Sequence, residues 1–357
     1  MDDSKLYEDL ARHLDQGIIA APPSPALMEI IKILFPVEDA EIAIKLPMQN
    51  QALSELKKLF PEKEDSLEEI LDRMIKRGTV YTSQKPGQER KYRLLPSVAG
   101  WAETPFWGGK VSDDSRKLAP IWLKYRNEAF GAELARGNMP AMRVIPATGS
   151  IQDNRQVISF DELKPKIEAA SFRAVAHCPC RMMKKTVDES CNHLLENCLH
   201  FGSMGRYMVE NKMAREITVE ETFKILKESS EDGLVHIIDN VEGHMSTICN
   251  CCGCCCVFLD TQKKMGIHTL SSSNYLSRVD AEVCAGCGTC EERCPMQAVA
   301  VGDDGVAEVN HGICIGCGVC IPTCETKAVS LVQRDEINPP PDLEKFFTAR
   351  YKAEETT

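Results

Sequence analysis

Residues 284–324 read CAGCGTCEERCPMQAVAVGDDGVAEVNHGICIGCGVCIPTC. The spacing C-x2-C-x2-C-x3-C occurs twice in this stretch, beginning at Cys284 and again at Cys314. An iron–sulfur cluster needs four converging thiolates, three from one tight loop and a fourth from just beyond it. The stretch therefore predicts two such clusters. Zinc sites favour two separated C-x2-C pairs, so this spacing argues against zinc and against a disulfide knot.

In the paired arrangement of this motif, the fourth cysteine of each copy binds the other cluster. One cluster is then expected on Cys284, Cys287, Cys290 and Cys324, and the second on Cys314, Cys317, Cys320 and Cys294. Over residues 279–332 the sequence resembles the bacterial two-cluster [4Fe-4S] ferredoxins. Pro295 follows the first copy as in that family, whereas Glu325 follows the second. The resemblance implies electron transfer through two [4Fe-4S] clusters.

The composition limits the classes of protein to consider. The chain has 357 residues, 18 cysteines and a net charge of −11. This acidity disfavours nonspecific nucleic-acid binding and suits basic redox partners. With no secretory signal and no long apolar run, the cysteines indicate thiolate chemistry in a reducing compartment, and we expect a cytoplasmic protein without a membrane span. The number of clusters suggests an anaerobic host.

The first hundred residues predict three helices followed by a two-stranded wing. The helices are expected at 26–46, interrupted near Pro36, at 50–60, and at 66–77, with Ser66 and Glu69 as a capping box. Two β-like runs then flank a turn at 85–89. This order resembles a winged helix-turn-helix domain. DNA binding is disfavoured because its expected recognition helix opens with acidic residues, so a protein-interaction or dimerisation role is favoured.

The next segment holds the three tryptophans, Trp101, Trp107 and Trp122. We expect them to pack in the core rather than line a cofactor cleft. A helix is predicted over 116–136, followed by a strand at 156–159, a short helix from Asp161 and an apolar strand that leads into the next cysteines.

Ten further cysteines form two central groups. They are Cys178, Cys180, Cys191 and Cys198, then Cys249, Cys251, Cys252, Cys254, Cys255 and Cys256. Crowded thiolates repel one another, and a metal centre is the usual way to neutralise them. Between the groups, a helix from Thr218 and a buried strand at 234–238 are predicted. We expect one or two more [4Fe-4S] clusters here.

Several ways of dividing these ligands stay open. The first group holds one cluster and four of the final six cysteines another, or each cluster draws on both groups. The alternatives are a cluster with more than four cysteines, and zinc on the first group with His177, His193 or His200 as a ligand. Arg181, Lys184 and Lys185 follow Cys180, where they raise a cluster's potential or form a solvated helix face.

Together these patterns predict a multidomain α+β protein. The expected divisions are a winged-helix-like domain at 1–100, a connector with a helix and aromatic residues at 101–175, a cysteine-rich cluster-binding α/β domain at 176–262, a ferredoxin-like 2[4Fe-4S] domain at 275–332 and a tail at 333–357. The tail predicts a short helix from Leu343 to about Lys352 that docks on the body or on a partner. The combination is similar to a poorly characterised group of multi-cluster ferredoxin-like proteins of anaerobes with an N-terminal winged helix.

The leading functional hypothesis is an electron-transfer protein that acts as a subunit or partner of an oxidoreductase complex. No dinucleotide fingerprint is present, so an electron carrier of this kind needs an oxidoreductase at each end. The second hypothesis is a redox enzyme whose central cluster or thiol site is catalytic. The third is a regulator whose cluster state controls DNA binding. The catalytic residues, the electron donor and acceptor, and the oligomeric state are not specified by the sequence.

Overall fold

The computed structural model describes residues 3–147, 150 and 160–350. The N-terminal part contains, in chain order, α1 (Asp3–Leu14), α2 (Pro25–Leu34), α3 (Val37–Ala43), β1 (Gln51–Ala52), α4 (Leu53–Leu59), α5 (Leu67–Arg77), β2 (Val80–Ser83) and β3 (Lys91–Leu94). The strands form an antiparallel sheet in the order β1-β3-β2. The three predicted helical segments and the two predicted strands are therefore present, while α1 and β1 were not predicted.

Two local sequence signals account for the helix ends in this part. Ser24 caps α2 because its side chain accepts a hydrogen bond from the Leu27 N–H. Gly78 ends α5 in the left-handed conformation, with φ of 77°. The predicted capping box at Ser66 is wrong. Its side chain makes no cap hydrogen bond, and its hydroxyl instead donates to the Lys63 carbonyl at 3.4 Å.

The connecting part is mainly helical, with α6 (Thr104–Trp107), α7 (Asp113–Tyr125) and α8 (Gly131–Glu133). A wide helical turn joins α7 to α8, so the predicted helix is close to one continuous segment. All three tryptophans are buried, as expected for core residues. Trp122 stacks on Tyr125 with ring centroids 5.1 Å apart. The predicted strand at 156–159 lies outside the described residues.

The central part surrounds a six-stranded sheet. Its elements are β4 (Met142–Ile145), α9 (Phe160–Ala169), β5 (Arg173–His177), α10 (Pro179–Thr186), β6 (Glu196–Phe201), α11 (Gly202–Glu210), β7 (Arg215–Glu216), α12 (Val219–Glu231), β8 (Val235–Asp239), β9 (Thr247–Cys251) and α13 (Val257–Met265). The strand order is β4-β8-β9-β6-β5-β7, and every pairing is antiparallel. The expected α/β character is thus corrected to α+β, because no parallel crossover occurs among these strands.

The C-terminal part contains β10 (Tyr275–Val279), α14 (Thr289–Arg293), β11 (Val299–Val301), β12 (Ala307–Val309), β13 (Val329–Gln333) and α15 (Leu343–Arg350). Strand β10 pairs with β13, and β11 pairs with β12. Each cysteine loop therefore connects a strand of one small sheet to a strand of the other. Within the described part of the chain, no helix combines the length and apolarity that crossing a membrane requires.

Helix α15 docks on the body of the protein through Arg350. This guanidinium is fully buried, donates to the carbonyls of Ile18 and Met139 at 2.8 Å each, and pairs with Glu133 at 3.1 Å. The sequence left open whether the tail docks on the body or on a partner, and the structure shows the body. The tail therefore joins the N-terminal and connecting parts.

Candidate metal centres

The two cysteine loops of the C-terminal part depend on glycine for close backbone approach. Gly316 has φ of 67°, and a Cβ there would lie 2.1 Å from the Tyr275 carbonyl oxygen. Gly286 has φ of 62°, and a Cβ there would lie 2.2 Å from the Gly305 carbonyl oxygen. A side chain fits neither position, so both loops can stay tightly folded around their thiols.

Cys294 belongs to the first cysteine loop, but it also lies near the thiols of the second loop, residues 314–324. Burial raises the pKa of Cys317, and the charges of Cys320, Cys294 and Cys314 add to that rise. Burial likewise raises the pKa of Cys320 to about 11, with Cys294 and Cys314 again contributing. These influences place Cys294 close to the second loop, and the crossed ligand sets stay a prediction.

Hydrogen-bond donors surround the C-terminal thiols. The Ala298 N–H donates to Cys294 Sγ at 3.1 Å, and the Ala307 N–H donates to Cys284 Sγ at 3.5 Å. The Ser277 hydroxyl lies 3.4 Å from Cys320 Sγ. Donors of this kind stabilise negative charge on sulfur, which suits thiolates that hold a cluster.

Four central thiols form a compact site that draws on both cysteine groups. The Sγ atoms of Cys191, Cys252, Cys254 and Cys255 all lie within 4.8 Å of one another. Cys191 comes from the loop after α10, and the other three follow β9. Of the divisions that the sequence left open, this arrangement favours the one in which ligands from both groups mix. We refer to it as the four-thiol site.

The remaining six central cysteines influence one another electrostatically in pairs, and we call this set the six-thiol site. It consists of Cys178, Cys180, Cys198, Cys249, Cys251 and Cys256. Cys180 also packs against Cys252 and Cys255 of the four-thiol site. Hydrogen bonds from Cys198 and then Cys251 hold the pKa of Cys249 well below its ordinary value. Hydrogen bonding to Cys178, burial and the nearby charge of Cys178 raise the pKa of Cys180. Six thiols at one site exceed the four that a single [4Fe-4S] cluster takes.

Arg181 lies beside Cys252 of the four-thiol site and is influenced by the charges of Cys178 and Cys251 of the six-thiol site. Its side chain is 1% exposed and donates to the Asn250 carbonyl at 3.0 Å, with Cys252 Sγ 3.8 Å away. Burial lowers the pKa of Arg181, but the charges of Cys178, Cys252 and Cys251 outweigh it and raise the pKa. Its Nε has no hydrogen-bond partner among the described residues. A buried cation of this kind fits anionic iron–sulfur clusters on both sides.

The histidines take up different positions around these sites. His200 is buried with Nε2 3.2 Å from Cys198 Sγ and Nδ1 3.3 Å from the Thr247 hydroxyl. Burial lowers the pKa of His200 to about 4. His193 instead pairs with Asp232 at 3.1 Å. His200 therefore contacts sulfur through a hydrogen bond, and the four-thiol site contains none of His177, His193 and His200.

The four-thiol site packs directly against the C-terminal loops. A Cβ at Gly253, between two of its cysteines, would lie 2.2 Å from the Pro295 carbonyl oxygen. Arg293, beside Cys294, donates to the Ser230 carbonyl at 3.0 Å and to the Val319 carbonyl at 2.9 Å. These contacts fix the central and C-terminal parts against each other at the cysteine loops.

Known proteins confirm the nature of the C-terminal part. Residues 276–325 match the family described as 4Fe-4S dicluster domain. This part of the chain is a ferredoxin-like iron–sulfur domain, and the protein binds [4Fe-4S] clusters. A probable ferredoxin of Methanosarcina thermophila is 40% identical over 35 residues, which cover 10% of this chain and 60% of that protein. No solved structure matches the chain.

The donor sets fit the clusters that the domain implies. Each C-terminal set offers four thiols from glycine-containing loops with N–H or hydroxyl donors at sulfur. The sequence did not reveal two features of the central part. Nothing in the spacing assigned Cys191 to the later cysteines, and nothing indicated that Arg181 is buried while Lys185 is exposed.

Proposed function

We propose that the protein transfers single electrons between a docked redox partner and its central thiol sites. When bound, [4Fe-4S] clusters supply one-electron redox chemistry at the cysteine sets described above. The observation that carries the proposal is the contact between Gly253 and Pro295. This contact places the four-thiol site against the C-terminal domain. An electron that moves between the C-terminal clusters and the four-thiol site would therefore have a short distance to cross.

The proposed ligand sets follow the grouping of the thiols. The C-terminal clusters are assigned to the crossed sets, and a third cluster to the four-thiol site. The six-thiol site lies beyond Arg181 and is assigned a further iron–sulfur centre. Zinc at the four-thiol site is the main competing assignment, because tetrahedral sites made of four cysteine thiolates also hold structural zinc.

The exposure of the cysteines suggests the direction of docking. Cys287 is exposed, whereas Cys317 and Cys320 are buried. Exposed carboxylates, Glu282 and Glu292, lie in the sequence near Cys287. We therefore propose that a basic partner docks beside Cys287, because opposite charges steer redox partners together. An oxidoreductase subunit is the expected class of partner.

The N-terminal part is proposed to be a winged-helix-like module used for packing rather than for DNA. Its sheet order and the preceding helices support this assignment. One basic wing residue is already engaged, because Arg90 pairs with Asp72 at 2.7 Å. Arg93 lines a cavity beside the Tyr81 ring. Glu68 and Glu69 are exposed in the first turn of α5, where they would repel phosphates, which disfavours the regulator hypothesis.

The Gly253 contact provides the test of this function. Gly253→Ala is expected to displace the four-thiol loop from Pro295 and to slow reduction of the central sites. Rapid freeze-quench EPR after mixing with a reductant measures the rate at which the central sites are reduced. The EPR signals of the C-terminal clusters serve as the internal reference. Gly108→Ala is the matched control, because a Cβ there would meet its nearest atom only at 3.7 Å.

In the wild-type protein, we expect the EPR signals of the reduced central sites to appear after those of the C-terminal clusters. Gly253→Ala should lengthen this delay without changing the iron content. Central and C-terminal signals that appear independently, with no effect of Gly253→Ala, contradict a transfer path through this contact.

A further inference from the structure

A large cavity adjoins the six-thiol site. Its volume is about 800 Å³, and its lining includes Cys198, Cys249 and His200 together with residues of the N-terminal sheet and of α15. Ligand sites for organic molecules usually measure about 300–1,000 Å³. The cavity is therefore large enough for an organic molecule rather than for water alone, and two thiols of the six-thiol site form part of its wall.

The walls of the cavity are mostly apolar. Phe346 and Phe347 of α15, Phe258 and Val241 contribute carbon surface, and Tyr81 adds an aromatic ring. Because α15 is held in place by the buried Arg350, its two phenylalanines form a fixed part of the wall. A ligand with an apolar or aromatic body gains free energy from this surface.

Arg93 provides a positive charge in the lining of the cavity. Among the described residues it has no ion-pair partner, and its contacts are the Tyr81 ring at 4.5 Å and the Leu94 carbonyl at 3.4 Å. Burial lowers the pKa of this guanidinium, as expected for a cation removed from water without an anion beside it. An incoming carboxylate or phosphate would satisfy it with charge-assisted hydrogen bonds.

Two acidic residues also line the cavity, and both have polar partners within the protein. Asp239 accepts hydrogen bonds from the Ser246 N–H at 2.6 Å and from the Thr247 N–H at 3.2 Å. Glu103 accepts from the Gly100 N–H at 3.2 Å. Neither carboxyl group pairs with Arg93, so the guanidinium is left to bind an anion from outside.

We propose that this cavity binds an organic anion, whose carboxylate or phosphate is held by Arg93 and whose apolar body packs against the aromatic wall. This ligand site goes beyond electron transfer, because an electron carrier alone needs no organic ligand. It places the bound molecule against Cys198 and Cys249 of the six-thiol site. Binding itself does not depend on the electron path proposed above.

Isothermal titration calorimetry on the anaerobically purified holoprotein tests the site. The probes are naphthalene-2-acetate, 2-naphthyl phosphate and the neutral naphthalene-2-acetamide, which share one aromatic body. At least one of the two anions is expected to bind with one molecule per chain and more tightly than the amide. Preference for the acetate identifies a carboxylate ligand, and preference for the phosphate identifies a phosphate ligand.

Three variants test whether Arg93 holds the anionic group of the ligand. Arg93→Gln is expected to weaken binding of the preferred anion about 10- to 100-fold, the value of a lost charge-assisted hydrogen bond, and to leave the amide unchanged. Arg93→Lys keeps the charge and is expected to retain part of the affinity. Arg206→Gln is the matched control, since Arg206 also lies over a ring, that of Phe172 at 4.7 Å, but does not line the cavity.

Two results overturn the proposal. One is equal binding of anions and amide, with no response to Arg93→Gln. The other is a loss of anion affinity in Arg206→Gln as large as in Arg93→Gln, which indicates nonspecific binding to arginine. Unchanged iron content in each variant shows that the fold and the metal centres persist. The freeze-quench measurement on Gly253→Ala is separate, so the electron path and the ligand site can fail independently.

Discussion

At the scale of single residues, Arg181 has the largest expected influence on the central sites. It is a buried cation between thiol groups, so its removal leaves negative charge without compensation. Arg181→Gln is expected to destabilise the folded protein by about 3–5 kcal/mol, the usual cost of breaking a buried ion pair. It should also shift the reduction potential of the central centres to more negative values. Anaerobic urea unfolding and redox titration measure the two effects.

Lys185→Gln is the control for this prediction. Lys185 lies on the same helix as Arg181, and it is exposed. An exposed lysine substitution should change the free energy of unfolding by less than about 0.5 kcal/mol. If Arg181→Gln leaves both stability and potential unchanged, the assignment of a charge-balancing role to Arg181 is wrong.

The sequence predicted some single residues well and others poorly. The glycines between the cysteines and the buried tryptophans follow from local chemistry, because tight loops need glycine and large aromatic rings favour the core. The difference between Arg181 and Lys185 does not follow from sequence, since both lie on one short helix after Cys178. Their environments depend on how β9 and its cysteines pack against that helix.

At the scale of elements, the loop after α10 supplies Cys191 to a site built mostly by the segment after β9. Cys191→Ala is expected to remove the metal of the four-thiol site and to lower the iron content by about four per chain, the content of one [4Fe-4S] cluster. The EPR signals of the C-terminal clusters should persist. Metal analysis and EPR of the reduced variant make this measurement.

A different result would contradict the assignment of Cys191 to the four-thiol site. If Cys191 instead shares a cluster with Cys178, Cys180 and Cys198, Cys191→Ala abolishes the EPR signal of that cluster. The metal bound by Cys252, Cys254 and Cys255 then remains. Cys287→Ala is the comparison variant, because Cys287 belongs to the C-terminal domain and its loss should affect only signals from that domain.

Helix α15 gives a second prediction at this scale. Arg350→Ala removes a buried guanidinium that bonds to two carbonyls and to Glu133. We expect a loss of at most about 3–5 kcal/mol in the free energy of unfolding, because Glu133 loses a buried countercharge and keeps Arg136 at 3.2 Å. The double variant Arg350→Met with Glu133→Gln should recover part of this loss. If the double variant recovers none of the lost free energy of unfolding, packing rather than the ion pair holds α15 in place.

Element boundaries were predictable where capping and breaking residues act locally. Gly78 and Pro36 mark real helix ends, and Thr218 caps α12 by accepting from the Glu221 N–H at 3.2 Å. The pairing of strands was not predictable in the same way. The antiparallel order of the six-stranded sheet brings β4 beside β8 from about 90 residues later in the chain, and no local signal encodes such a contact.

At the scale of the whole molecule, the thiol sites and the cavity form a connected arrangement. The C-terminal domain contacts the four-thiol site through Gly253. Arg181 lies beside Cys252 of that site and is influenced by the charges of Cys178 and Cys251 of the six-thiol site. Cys198 and Cys249 of the six-thiol site line the cavity. The ferredoxin-like domain was predictable from its spacing alone. The central arrangement needed the tertiary structure, because its ligands are shared between distant segments.

The most direct test of the account is the content of iron, acid-labile sulfide and zinc per chain in anaerobically purified protein. We predict about sixteen iron and sixteen sulfide per chain, which corresponds to four [4Fe-4S] clusters on the four thiol sets, and no bound zinc. A content of about eight iron and eight sulfide, the content of two [4Fe-4S] clusters, with zinc at the central cysteines, would contradict it. Electron transfer would then be confined to the C-terminal domain.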